Sequence, residues 1–273
     1  MLRKKLMKYS LICLLLTLLC SSVQATEDVI PDFTNPVVGL IGASSIDPEA
    51  SPQNAVGLTA LNGASFRGLA DFLKARSIHS PKGIVYREAA EGGATTNGQN
   101  GFLSVVGQAK RLVEHTTMWT NGTHMKAAVI MGFNDCMHSL AGLCDESQVL
   151  NNTVANVKEA VQYLQSFGVK VFVARLIDYD SLNLPLLEQT FSQIIPGFQV
   201  ASESEYNMYK SLYESEMEQM PDVTVIDVWR GMKHIGDGLH ADHESKMRAS
   251  IRLHDALSCH FVAQYANRLT RKC

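Results

Sequence analysis

Ala127-Ala128-Val129-Ile130-Met131-Gly132-Phe133-Asn134-Asp135 is an apolar run that ends abruptly in a glycine and two polar residues. The run is short, nearly continuous in apolar character and lacks period-2 alternation. A strand buried on both faces reads this way, as in a parallel sheet covered by helices. Four other runs share the pattern: Val37–Ala43, Gly83–Ala89, Val169–Ile177 and Val223–Val228. Between them lie helical spacings. Leu69, Phe72 and Leu73 precede the second run, and Phe102, Val105, Val106, Ala109 and Leu112 precede the third. Val154, Val157, Ala160, Val161 and Leu164 precede the fourth, with Gly168 placed to stop that helix. Residues 243–268 read as a long terminal helical region. Alternating strand and helix, joined by right-handed crossovers, predicts a doubly wound α/β sandwich. Residues 178–222, with Pro185, Pro196 and Pro221, fit a lid, an insertion or plain helices.

The chain has 273 residues, 46% of them hydrophobic and 19% charged, which excludes a disordered chain and suits one α/β domain. No G-x-y period, sustained heptad or internal repeat is present. Residues 1–25 read as an export signal: Arg3, Lys4, Lys5 and Lys8 form a basic start, Leu11 to Leu19 an apolar run too short to span a bilayer, and Val23-Gln24-Ala25 a cleavage site. Leu19 is too bulky for a lipoprotein reading of Cys20. Removing the four positive charges of that segment from the formal net charge of −3 leaves −7 on residues 26–273. A mildly acidic body argues against a nucleic-acid binder. No later segment approaches the apolar length of a transmembrane helix. The expectation is an exported protein, periplasmic or secreted, with residues 26–273 as one domain. The oligomeric state is not legible.

Cys136, Cys144, Cys259 and Cys273 would remain after cleavage, and an even count in an exported chain predicts two disulfides. Of the three connectivities, the local pairs Cys136 with Cys144 and Cys259 with Cys273 are expected. Asn121-Gly122-Thr123 and Asn151-Asn152-Thr153 match glycosylation sequons.

Doubly wound sheets bind ligands outside the carboxyl ends of their strands. There stand Gly42-Ala43-Ser44-Ser45, Glu91-Gly92-Gly93-Ala94-Thr95-Thr96, Gly132-Phe133-Asn134-Asp135 and, after the fifth run, Asp237-Gly238-Leu239-His240. Singly, each is ordinary cap or turn chemistry. Together they supply what ester cleavage needs. Ser44 is the candidate nucleophile, His240 the general base and Asp237 the group that orients it. The N–H groups of Ser44 and Gly93 and the side-chain amide of Asn134 are candidate oxyanion donors. No cofactor and no metal are implied.

In these blocks the sequence resembles the SGNH, or GDSL-type, serine hydrolases, from Val37 to about Arg268. Gly132-Phe133-Asn134-Asp135 fits the family's G-x-N-D block and Asp237-Gly238-Leu239-His240 its D-x-x-H block. Gly93-Ala94-Thr95 resembles the glycine block, and Gly42-Ala43-Ser44 the G-D-S block with Ala43 where aspartate is usual. The resemblance implies a three-layer α/β/α sandwich on a five-stranded parallel sheet of flavodoxin-like type. It implies the same roles for Ser44, Gly93, Asn134, Asp237 and His240, and a small-molecule ester, lipid or acylated glycan as substrate. Register favours Ser44 over Ser45 and Gly93 over Gly92. The α/β-hydrolase elbow G-x-S-x-G is absent, because Ile46 stands at its second glycine.

Other chemistries compete. His234, Asp237, His240, Asp242 and His243 could supply metal ligands, although their spacing matches no standard motif. A non-catalytic binding protein would fit the change at Ala43. Glu91–Gly101 is glycine-rich but lacks the G-K-[ST] ending of a phosphate loop. Cys136 as a nucleophile conflicts with its expected disulfide.

Overall fold

The computed structural model describes residues 35–46, 68–78, 83–115, 126–136, 138–139, 144–193 and 196–270. The export-signal reading of residues 1–25 and the sequon at Asn121 lie outside the described residues. Five strands form one parallel sheet: β1 (Val37–Ile41), β2 (Val85–Glu88), β3 (Lys126–Ile130), β4 (Lys170–Ala174) and β5 (Val223–Ile226), in the order β2-β1-β3-β4-β5. Among the described residues, the α-helices of eight residues or more are α1 (Leu69–Ile78), α2 (Val105–His115), α3 (Ala155–Ser166), α4 (Leu184–Phe191), α5 (Glu203–Glu218) and α6 (His243–Thr270). Helix α1 packs on α6, and α2 packs on α3. Because the chain moves one way from β1 to β2 and the other way from β2 to β5, right-handed crossovers place these two pairs on opposite faces. The architecture is therefore an α/β/α sandwich. Among the described residues no helix is long and apolar enough to cross a membrane.

The three central strands are buried along nearly their whole length, since both faces are covered; Val37, Val38, Leu40, Ile41, Ala127 to Ile130 and Val171 are at or near full burial. Each apolar run in the sequence overshoots its strand at the carboxyl end. Ala43, Met131, Phe133, Leu176, Ile177 and Val228 are buried, yet they stand past the last ladder residue. Burial, not sheet pairing, keeps them apolar, and Ala43, Phe133, Leu176 and Ile177 line the space where the strands end.

Residues 178–222 resolve into the two helices α4 and α5, with a two-residue strand, Gln199–Val200, paired to His138–Ser139. Helix α5 begins with a capping box, in which Ser202 and Glu205 satisfy each other's exposed groups. Its Tyr206, Tyr209, Tyr213 and Met217 are buried. From this helix Glu214 reaches back to the segment after β4: it accepts from the Leu176 N–H at 3.0 Å, the Arg175 guanidinium at 2.6 Å and the Lys210 ammonium at 2.7 Å. The Tyr206 hydroxyl donates to the Ile177 carbonyl at 2.7 Å. The segment 175–177 is thus held from one side by the sheet and from the other by α5.

Cys136 and Cys144 form a disulfide, as the sequence predicts. The second expected pair involves Cys273, which lies outside the described residues; Cys259 is an exposed thiol within α6. Asn151 is exposed, but Thr153 of its sequon is buried and donates to Asp135 Oδ1 at 3.3 Å.

Candidate active site

The first polar block sits where β1 leaves the sheet. Residues 43–46 form a turn closed by the Ile46 N–H on the Ala43 carbonyl at 3.0 Å. The start of α1 docks on it through the Leu69 N–H to the Ser45 carbonyl at 3.2 Å. Gly42 precedes the turn at φ +155°, and a Cβ there would stand 3.0 Å from Ile46 Cδ1. Ser44 follows, with 6% of its surface exposed.

The block after β3 comes alongside, because β1 and β3 are neighbours in the sheet. This is also where the strand order reverses, the position at which open α/β sheets take their ligands. Asn134 donates from its backbone N–H and from Nδ2 to the Ala94 carbonyl, both at 3.1 Å. That leaves the second Nδ2 hydrogen available. The Ala94 peptide belongs to the glycine loop, where Gly93 adopts φ +89° and Gly92 does not take a left-handed conformation. The Glu91 N–H donates to the Gly42 carbonyl at 3.2 Å, so the loop is tied to the serine turn as well.

Asp135 fixes the next residue of this loop. Its Oδ2 accepts from the Thr96 N–H at 2.7 Å and its Oδ1 from the Thr96 hydroxyl at 2.6 Å. Burial pushes the Asp135 carboxyl above its ordinary range, only partly offset by the bonds from Thr96 and Thr153. Thr153 reaches it from a π-helical stretch, Val149–Val154, ahead of α3. Neither Thr153 nor the stretch is apparent in the sequence.

The last block arrives from the far end of the chain. His240 Nε2 stands 2.8 Å from Ser44 Oγ, across 196 residues of sequence, and His240 Nδ1 stands 2.6 Å from Asp237 Oδ2. Ser44, Asp237 and His240 are all buried. Asp237 Oδ1 accepts the N–H groups of Leu239 and His240, each at 2.9 Å. Burial alone would raise the Asp237 carboxyl, but the His240 hydrogen bond and charge, with the two N–H groups, hold it below its ordinary range. Gly238, at φ +84°, lets the tight loop pass: a Cβ there would fall 2.1 Å from the Asn183 carbonyl oxygen. The Asn183 N–H donates to the Gly238 carbonyl at 2.8 Å and pins the loop to the start of α4.

The structure thus brings Ser44, Gly93, Asn134, Asp237 and His240 to one edge of the sheet, and it places Ser44, not Ser45, on the imidazole. Beside them opens a cavity of about 20 Å³, walled by Phe133, Leu176, Ile177, Tyr206, Trp229 and Leu239. A hydroxyl bonded to an imidazole, itself bonded to a buried carboxylate, can act as a nucleophile toward an acyl carbon.

No family model and no curated protein matches the sequence. Solved structures do match. An inhibitor-bound aryl esterase of M. smegmatis aligns with 82% of this chain and 99% of its own at 14% identity, with a TM-score of 0.54. The chain shares the α/β/α fold of that esterase. Matches with lower TM-scores are the psychrotrophic esterase EstA from Pseudoalteromonas sp., inhibited by monoethylphosphonate (12% identity, 83% of this chain and 99% of that one, TM-score 0.49), and a GDSL-like lipase from Bacteroides thetaiotaomicron (12% identity, 81% and 87%, TM-score 0.45).

On this scaffold the remaining histidines of the C-terminal cluster have local partners. His234 Nδ1 accepts from the Gly236 N–H at 3.1 Å, and the His243 ring meets Phe72 edge to face at 5.0 Å. Asp242 caps α6 by accepting the Ser245 N–H at 2.7 Å. Among the described residues no three His, Cys, Asp or Glu side chains are grouped to hold a metal ion.

Proposed function

We propose that the chain is an exported serine ester hydrolase. The observation that carries the reading is the buried chain of hydrogen bonds from Ser44 Oγ through His240 to Asp237, at 2.8 and 2.6 Å. In this mechanism His240 Nε2 takes the Ser44 proton as Oγ attacks the ester carbonyl. Asp237 holds Nδ1 protonated and stabilises the imidazolium. The N–H groups of Ser44 and Gly93 and Asn134 Nδ2 receive the oxyanion; each such donor is worth about 3–4 kcal/mol in the transition state. The imidazolium then protonates the leaving alkoxide. A water deprotonated by His240 releases the acid from the acyl-serine. Export rests on residues 1–25, whose charge and apolar pattern support a signal peptide.

The walls of the cavity are largely apolar, so the acyl side of an ester would pack against Phe133, Leu176, Ile177 and Trp229.

The test compares wild type with Ser44→Ala on p-nitrophenyl acetate, butyrate and octanoate, and on acetylated sugars. Wild type should be labelled by a fluorophosphonate at Ser44 and lose activity by several orders of magnitude on substitution, and the panel reads its acyl-chain preference. Most activity surviving in Ser44→Ala would remove Ser44 as the nucleophile. Loss on chelation without fluorophosphonate labelling would replace the serine mechanism with a metal.

A further inference from the structure

We propose that Gln108 is a positioning residue for Ser44, replacing the strand partner that β1 loses as it turns into the site. Ladder pairing on β1 ends at Ile41, whose carbonyl accepts the Met131 N–H at 2.9 Å. Gly42, the next residue, has no strand beside it. Gln108 closes on it from α2 instead. The Gly42 N–H donates to Gln108 Oε1 at 2.9 Å, and Gln108 Nε2 donates to the Gly42 carbonyl at 3.1 Å. One side-chain amide thus holds both faces of a residue two positions before Ser44, as a neighbouring peptide would. Its Nε2 also lies 3.4 Å from the Leu103 carbonyl.

Three facts single Gln108 out. It is fully buried, although Val105, Ala109, Leu112 and Val113 around it on α2 form an apolar stripe. A polar side chain persists in such a place only with its hydrogen-bonding groups satisfied. Its partner, Gly42, is the backbone position just ahead of the turn that aims Ser44 Oγ and the Ser44 N–H. And residue 43, between the held peptide and the serine, is a buried alanine with no side chain able to bond the turn. The polar restraint on this turn therefore comes from outside it. Through Gly42 the amide also meets the glycine loop, because Glu91 N–H donates to the same carbonyl.

The proposal rests on the reading of Ser44 as nucleophile, which Ser44→Ala tests separately. Gln108→Met keeps the length and nearly the volume of the side chain and removes both hydrogen bonds. Misplacement of reacting groups by about 1 Å costs up to roughly a hundredfold in rate. The expected result is a 10- to 100-fold fall in kcat per folded enzyme, KM within about threefold of wild type, and slower fluorophosphonate labelling. Folding is checked by circular dichroism and a cooperative thermal transition. A folded Gln108→Met with kcat within about twofold of wild type would overturn the proposal, because a purely structural role lowers Tm and leaves turnover of folded molecules unchanged. If that variant does not fold, Gln108→Glu carries the test: it keeps an acceptor for the Gly42 N–H and loses the donor to the Gly42 carbonyl. Its kcat should fall at least about threefold at unchanged KM, and wild-type kcat there would equally overturn the proposal. Should Ser44→Ala remain active, the site reading fails on its own, whatever the Gln108 variants show.

Discussion

Replacing Asp237 by asparagine changes one oxygen to an amino group, and the surroundings dictate which one. Oδ1 accepts two backbone N–H groups, from Leu239 and His240, each at 2.9 Å, whereas Oδ2 faces His240 Nδ1 at 2.6 Å. An amino group on the Oδ1 side would meet two donors and strand two buried N–H groups, at about 1–3 kcal/mol each. The amide carbonyl therefore stays at Oδ1 and the amino group faces Nδ1. Nδ1 must then accept, the ring proton moves to Nε2, and Nε2 donates to Ser44 Oγ when it should receive from it. A triad trapped in this tautomer loses about 10⁴ in kcat, or about 5 kcal/mol of barrier. Asp237→Ala leaves the imidazole free to change tautomer but orphans both N–H groups. Asparagine should hence be the more stable variant and no more active than alanine. Turnover of p-nitrophenyl acetate per folded enzyme, with thermal unfolding of both variants, decides it. Asp237→Asn within tenfold of wild-type kcat, or less stable than Asp237→Ala, would refute the assignment of Asp237 as the group that orients the base.

Two further expectations concern stability. Reducing the Cys136–Cys144 bridge, or Cys136→Ser, should lower the unfolding free energy by about 2–3 kcal/mol, the chain entropy of so short a loop; an unchanged denaturant midpoint would show that the loop is held by other contacts. Lys246, buried at the start of α6, is lowered by desolvation to about 8, against the partly opposing charges of Asp237, Asp242 and Asp71. Its folded value lies below the unfolded 10.5, so the unfolded chain binds more protons between about pH 8 and 10.5, and stability should rise with pH across that window. Urea midpoints measured at pH 7.5 and about 9.5 should differ in wild type and agree in Lys246→Met; a flat wild-type curve would contradict the burial of this charge.

The sheet was legible because parallel strands covered on both faces must be apolar throughout: four of the five runs contain their strand, and the third begins at Ala127, one residue inside its own. The strand ends were not, because Phe133, Leu176 and Ile177 are apolar for a different reason: they wall the site. Residues 178–222 hid their helices in a similar way. Tyr206, Tyr209, Tyr213 and Met217 follow a helical spacing, but the polar residues between them, ending in Glu214, suggest a solvated face. Glu214 is in fact buried, bound to Arg175, Lys210 and the Leu176 N–H; Lys210 stands one helical turn away, but no spacing rule marks Arg175 and Leu176, 39 and 38 residues away. Gln108 left a weaker trace, as one polar residue inside an apolar stripe.

The candidate site divides along the same physical line. Asp237 and His240 lie three residues apart, so local sequence encodes their contact, and Gly238 between them is required by the 2.1 Å approach of the Asn183 carbonyl. Ser44 and Asn134 follow adjacent strands, so the sheet order alone brings them together. What neither spacing nor sheet order specifies is how the two halves meet across 196 residues. Each half is set before they meet: the loop of Asp237 and His240 by backbone bonds, Asn183 N–H to the Gly238 carbonyl and Ile235 N–H to the His240 carbonyl, both at 2.8 Å. The serine turn and glycine loop are set by buried side chains that grip backbone, Gln108 on Gly42 and Asp135 on Thr96. Backbone bonds are indifferent to side-chain identity, and a buried amide or carboxylate looks like any polar residue until its partner is known. The chemistry of the site is therefore written in short motifs, while its alignment is spread over residues that no motif contains.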